Sequence, residues 1–216
     1  RSGTTFRLFV SGVLEDTGTS SQDIDFSYNG LVLIGTNGWN DAESMFSGQL
    51  AEFRILKGTD NGWTGSTIPV PTAPYPDGKT SLLLHGQDLL DYSGQGHTVT
   101  ANGDASAGNS GNPFGFGGVF ESPGATGDYF LVADPDVGDL GDGAFVMEAR
   151  VYLDTTNTAT TYGIAALGGG SGSWGGSTGV TWQWMRHGNG NVYFQYYGAG
   201  TYRALMAGTD IRQTEL

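Results

Sequence analysis

Apolar residues in this chain recur at every second position in short runs, each closed by glycine or another turn former, and a period of two specifies strands. Thr5 to Ser11 places Phe6, Leu8 and Val10 on one face before Gly12 ends the run. Gln49 to Leu56 alternates likewise, with Ala51, Phe53 and Ile55 opposite Leu50, Glu52, Arg54 and Leu56. Phe145 to Leu153 repeats the pattern, with Phe145, Met147, Ala149, Val151 and Leu153 opposite Val146, Glu148, Arg150 and Tyr152. Leu31 to Gly35 is a continuous apolar run, the signature of a strand buried on both sides. Ser81–His85, Val119–Phe120 and Tyr129–Val132 add further strands, and Asn102 to Asn112 reads as loop. Val180 to Arg186 and Val192 to Tyr197 flank His187-Gly188-Asn189-Gly190-Asn191, where Gly and Asn supply the left-handed geometry of a hairpin reversal. Strands this frequent, with no helical period between them, predict antiparallel sheets packed face to face.

Composition supports an all-β chain. Gly supplies 38 of 216 residues while charged types make up only 14%, a balance that suits tight turns better than helices. Nine Lys plus Arg against 22 Asp plus Glu leave a net charge of −13, which repels nucleic acid and anionic lipid surfaces. No cysteine is present, so disulfides, thiolate metal sites and Cys nucleophiles are excluded. No apolar run reaches the ~18 residues that span a bilayer, and membrane insertion is not expected.

Between Ile68 and Gly78, Pro69, Pro71, Pro74 and Pro76 fix φ and remove N–H donors, so this connector runs extended without joining a ladder. It separates two sets of motifs. Before it stands Phe46-x-Gly48-x-Leu50-Ala51-Glu52-Phe53-Arg54-Ile55-x-Lys57-Gly58, preceded near the start by Arg1-Ser2-Gly3-Thr4-Thr5-Phe6-Arg7-Leu8-Phe9-Val10-x-Gly12. After it come Leu82-Leu83-Leu84, Asp91-x-Ser93-Gly94, His97-Thr98-Val99, Phe114-Gly115-Phe116-Gly117-Gly118, Gly127-Asp128-Tyr129-Phe130 and Phe145-x-x-Glu148-x-x-Val151-Tyr152.

These motifs resemble the concanavalin-A-like lectin and laminin-G-like jelly-roll modules of phage tail, virion and bacterial surface proteins. The resemblance implies an antiparallel two-sheet jelly-roll sandwich. The order is permuted: residues 1–76 resemble the C-terminal half of one module and residues 77–216 the N-terminal half of the next. Either the halves fold against each other as one permuted sandwich or the region is cut from a tandem array. The first is favoured, because each half alone leaves sheet edges exposed. Ala51 stands where such modules usually carry Asp beside the Glu, which casts doubt on a polar role for that strand. Arg150 replaces a usual aromatic on what is often the ligand face.

Candidate sites are few. The β-glucanases of the same superfamily need carboxylates alternating on one strand, and no Glu-x-Asp-x-x-Glu run exists here. Glu52 and Glu148 read as isolated strand carboxylates paired with Arg54 or Arg150 on a solvated face. His85, His97 and His187 lie near no nucleophile motif. Candidate ligand-binding aromatics are Trp182 and Trp184, which share one strand face and whose period of two reads first as core, together with Tyr202 and the loop residues Trp39, Trp63 and Trp174. Calcium is the candidate ion. Asp128, Asp134 and Asp136 are its candidate ligands, in a stretch that continues to Asp139 and Asp142, and Asn37, Asn40, Asp41 and Glu43 form a second oxygen-rich patch. Both stretches read first as solvated acidic loops, with calcium as the second reading.

The expected function is a non-catalytic structural or adhesive module of a virion (tail fibre or capsid decoration) or cell-surface assembly. It is extracellular or on the virion or cell surface, contacts copies of itself or a scaffold protein, and binds surface glycans through loop aromatics. A dedicated carbohydrate-binding lectin domain is the alternative, and a glycoside hydrolase the remote one.

Overall fold

The computed structural model describes residues 1–24, 30–38, 45–78, 80–153, 161–168, 180–198 and 201–208. Among the described residues, fourteen strands and one helical turn follow in chain order. They are β1 (Thr5–Val10), β2 (Val13–Thr19), β3 (Leu31–Ile34), β4 (Gly48–Lys57), β5 (Leu82–Leu84), β6 (Val99–Asn102), β7 (Ser106–Gly108), β8 (Val119–Ser122), β9 (Tyr129–Val132), α1 (Pro135–Gly138), β10 (Phe145–Leu153), β11 (Tyr162–Gly168), β12 (Trp182–Arg186), β13 (Val192–Gly198) and β14 (Thr201–Ala207). All pairings between them are antiparallel.

A seven-stranded sheet runs β14-β13-β12-β11-β3-β9-β6, a five-stranded sheet runs β10-β4-β8-β7 with β5 against β4, and β1 and β2 form a hairpin of their own. The segments on either side of the proline-rich connector share both large sheets: β3 lies between β9 and β11, and β4 pairs with β5, β8 and β10. One continuous core joins the sheets. Phe53, Ile55, Leu82, Leu84, Phe120 and Val151 meet Val32, Ile34, Phe130, Ile164, Leu167 and Trp182 within it. Phe120 and Phe130, from opposite sheets, sit 4.7 Å apart between ring centroids. The β1 hairpin docks on the same core through Phe6, which stacks on Tyr196 of β13 at 4.8 Å and 10°. Such ring pairs contribute roughly 0.5–1.5 kcal/mol beyond the area they bury.

Local alternation survives in β1, where Phe6, Leu8 and Val10 are buried and the residues between are half-exposed. In β4 it fails. Glu52 has φ of 51°, in the left-handed region, and the β10 register shifts between Glu148 and Arg150, so that Glu52 and Phe53 together oppose Ala149. This is a β-bulge, which inserts one residue and re-aims the side chains that follow. Leu50, Phe53 and Ile55 therefore enter the main core, while Ala51 packs on the opposite face with Phe114 and Val119. The expectation that Ala51 shares a face with Phe53 and Ile55 is corrected by that one inserted residue.

The Leu31 run is buried fully on one face only, through Val32 and Ile34, because Leu31 and Leu33 face the partly open side. The 102–112 loop contains β7, which pairs with β8. The aspartate-rich stretch contains α1, capped by Asp134, whose carboxylate accepts from Asp136 N. Among the described residues no helix is long and apolar enough to cross a membrane.

Candidate functional site

A cavity of about 150 Å³ lies where the β1 hairpin meets the outer edge of β10. Its inner wall is Trp184, Phe194 and Leu205 of the seven-stranded sheet, and its outer wall is Trp63, the Ile68–Pro71 segment and Tyr75. β1 supplies one side through Phe6 to Phe9, and β10 the other through Phe145 to Arg150.

The connector forms the outer wall because it folds back over the five-stranded sheet. Gly12 and Ile68 share a backbone hydrogen bond of 2.8 Å, and Arg150 Nη1 donates to Pro71 O at 2.6 Å. Phe114 and Phe116 cover the Arg150 guanidinium, with ring centroids 5.3 and 4.6 Å from Cζ. Farther along, Tyr75 lies across the Arg54 guanidinium at 3.6 Å, with Trp63 at 5.9 Å. Proline fixes φ and takes no ladder bond, so a strap rich in it crosses a sheet face without adding a strand.

Beneath the strap is a cluster of charged and polar groups. Arg54 Nε is hydrogen-bonded to Glu148 Oε2 across the β4–β10 pair, and Tyr75 OH donates to Glu148 Oε1 at 2.6 Å. The bulge turns Glu52 under the strap, where it is wholly buried. There it accepts from Tyr75 N at 2.9 Å and sits 2.9 Å from His85 Nδ1, whose Nε2 is 3.2 Å from Asp77 Oδ1. Burial pushes the Glu148 carboxyl upward against the opposing pull of Arg54 and Tyr75. Burial and then the Glu148 charge raise the Tyr75 phenol far above its ordinary value. The Glu52 carboxylate raises the His85 imidazole against its burial, with Asp77 adding to the rise.

This differs from the solvated face expected for Glu52 and Glu148. Glu148 does pair with an arginine, but on the neighbouring strand, and Glu52 pairs with His85. The strap is the reason, since it removes both carboxylates from water and buried charge needs partners.

The predicted site residues divide. Trp63 and Trp184 line the cavity. Trp184 is 8% exposed and its Nε1 has no hydrogen-bond partner among the described residues. Trp182 is core: it is fully buried and its Nε1 donates to Gly138 O at 2.9 Å, so it offers no stacking surface. Tyr202 is exposed on edge strand β14, away from the cavity lining. Trp39 and Trp174 lie outside the described residues, as do Asn40, Asp41 and Glu43.

The three aspartates expected to hold calcium are engaged separately. Asp128 is buried and accepts from Asp104 N and Ala125 N, both at 2.9 Å. Asp134 caps α1 and meets His97 Nδ1 at 3.0 Å, whereas the Asp136 carbonyl accepts from Lys57 Nζ at 2.8 Å. Among the described residues no three His, Asp or Glu side chains converge as a metal site.

Sequence reasoning missed Tyr75, His85 and Arg54 as a unit. The available signal was the Glu-x-Arg spacing on two strands, at Glu52/Arg54 and Glu148/Arg150, together with Tyr75 and Asp77 among the prolines. No protein-family model, curated protein or solved structure matches this chain.

Proposed function

We propose that the chain is a non-catalytic structural and adhesive module of a virion (tail fibre or capsid decoration) or cell-surface assembly, built as a permuted concanavalin-A-like jelly-roll sandwich. The carrying observation is the pair of sheet-edge strands β1 and β10, which both line one cavity and, among the described strands, pair only with β2 and β4 respectively. Such edges are templates for association with further polypeptide. The charge of −13 agrees with an extracellular or surface setting away from nucleic acid. The buried carboxylates act as fasteners in this reading, because Arg54, Tyr75 and His85 occupy them. Sedimentation velocity over a wide concentration range tests it: concentration-dependent self-association, or co-sedimentation with a scaffold protein of the same particle, is expected. A strictly monomeric species that binds no such scaffold would sink it.

Glycan binding is the second reading, favoured by Trp63 and Tyr75 at the outer wall, since sugar rings stack on such faces. A glycan array with and without calcium decides it, and silence on every sugar removes it. Glycoside hydrolysis stays the remote alternative because Glu52 and Glu148 meet at Tyr75. Release of reducing ends from β-glucans by the native chain, abolished in Glu148→Gln, is the result that would establish it.

A further inference from the structure

We infer that Asp77 and His85 form a pH-operated latch on the proline-rich connector: the end of the strap is held to the body of the protein while the His85 ring carries two protons, and is let go when it carries one. The latch works independently of what the module binds.

His85 directly follows β5 and is buried, with both ring nitrogens committed to carboxylates. Nδ1 lies 2.9 and 3.0 Å from the two oxygens of Glu52, and Nε2 lies 3.2 Å from Asp77 Oδ1. A carboxylate only accepts, so both contacts are hydrogen bonds only when the ring is an imidazolium, in which each nitrogen donates. A neutral ring has one N–H for two acceptors. Its other nitrogen then turns a lone pair towards a carboxylate, and that contact is repulsive.

Burial decides which contact is given up. The Glu52 side chain is wholly buried, whereas that of Asp77 is 73% exposed. Losing the ring N–H would strand a buried charge at Glu52, but at Asp77 water takes the place of the lost donor. The remaining proton therefore stays on Nδ1, and Asp77 swings into solvent.

The groups around the ring favour the latched form. The Glu52 carboxylate raises the imidazole most, burial opposes it, and Asp77 adds to the rise. From the following loop, the Tyr92 ring packs 4.6 Å from the imidazole, and its hydroxyl donates to Asp88 Oδ2 at 2.9 Å and accepts from Gln87 Nε2 at 2.7 Å. The 115–118 segment, which approaches Glu52 through Gly117, brings no charged side chain. Arg54 and Glu148, the other ion pair under the strap, bond to each other.

Only one end of the strap responds. Pro74 and Pro76 fix φ on either side of Tyr75, which is pinned separately by its N–H to Glu52 Oε2 and its hydroxyl to Glu148 Oε1. Beyond them Gly78, with φ of 80°, donates its N–H to Tyr92 O at 2.8 Å. Release of Asp77 loosens that backbone bond and leaves Tyr75 in place. The strap end is thus latched at pH below the raised His85 value and released above it.

Nuclear magnetic resonance of the native chain from about pH 5 to about pH 10, a span that brackets an ordinary and a raised imidazole, tests the latch. Above its midpoint the His85 ring is expected to keep its remaining proton on Nδ1, and the Asp77 carboxyl resonance is expected to move with the same midpoint. Gly78 amide exchange, corrected for the intrinsic effect of pH, should lose protection at least about threefold across that midpoint while the Tyr75 amide keeps its own. In Asp77→Asn the side-chain amide accepts from a protonated ring and donates to a neutral one, so the Gly78 change should vanish. In Asp77→Ala the Gly78 amide should exchange at the released rate throughout. Asp77 is mostly exposed, so both variants are expected to fold. A remaining proton on Nε2, a ring that holds both protons to the alkaline end, or Gly78 protection that is constant in the native chain or changes equally in Asp77→Asn overturns the inference.

Discussion

Arg54→Met tests whether the cluster under the strap is a buried fastener or a surface ornament. Arg54 and Glu148 side chains are only 10% and 14% exposed. Removing the guanidinium leaves Glu148 with Tyr75 OH as its remaining partner and strips Tyr75 of the cation it covers. Breaking a buried pair from one side costs about 3–5 kcal/mol, the larger part being the stranded charge. A domain of this length loses about 2–4 °C of Tm per kcal/mol, so a fall of roughly 6–20 °C is expected in calorimetry at neutral pH. The penalty should shrink in acid, because burial already pushes the Glu148 carboxyl upward and a protonated Glu148 needs no cation. Arg54→Met combined with Glu148→Met should recover much of the loss, since the double change leaves no buried charge behind. A fall equivalent to less than about 1 kcal/mol, with no dependence on pH, would match an exposed pair and refute the reasoning.

Gly163→Ala should be among the most damaging small substitutions, because an added Cβ would overlap the backbone of Thr36 and Asn37; a loss above about 4 kcal/mol in denaturant unfolding is expected, and a near-neutral result would show that β11 can move away. Asp128→Asn should cost about 1–3 kcal/mol through the loop amides of Asp104 and Ala125, whereas adding a calcium chelator to the native chain should leave Tm unchanged. His85 is raised above its unfolded value, so its contribution is complete below the unfolded pKa of about 6.5 and is lost as pH rises through the folded value; the stability difference between native chain and His85→Gln should narrow over that window, and a constant difference would contradict the assignment.

Much of the strand inventory was legible without coordinates. The Phe6, Leu8 and Val10 face, the Phe145 to Leu153 alternation and the hairpin about His187–Asn191 are written in nearest neighbours, and a period of two is a local property of the backbone. The polar site was less legible. Glu52, Arg54 and Glu148 stood out as charges on strands, but their residue types are those of an ordinary solvated face.

The amino-acid order by itself determined an all-β chain of glycine-closed strands, a net acidic charge and an extended proline-rich connector. Tertiary structure decided three things that no short window contains. The bulge at Glu52 arises because β4 must match β10, and it moves Ala51 off the core face. The strap buries Glu52, Arg54 and Glu148 by returning across strands distant in the chain. The cavity is lined by segments far apart in the chain, such as Phe145 and Arg1, which meet across 144 positions of sequence. Each depends on contacts between segments whose approach is set by the whole core, and local pattern carries no record of which edge will face which.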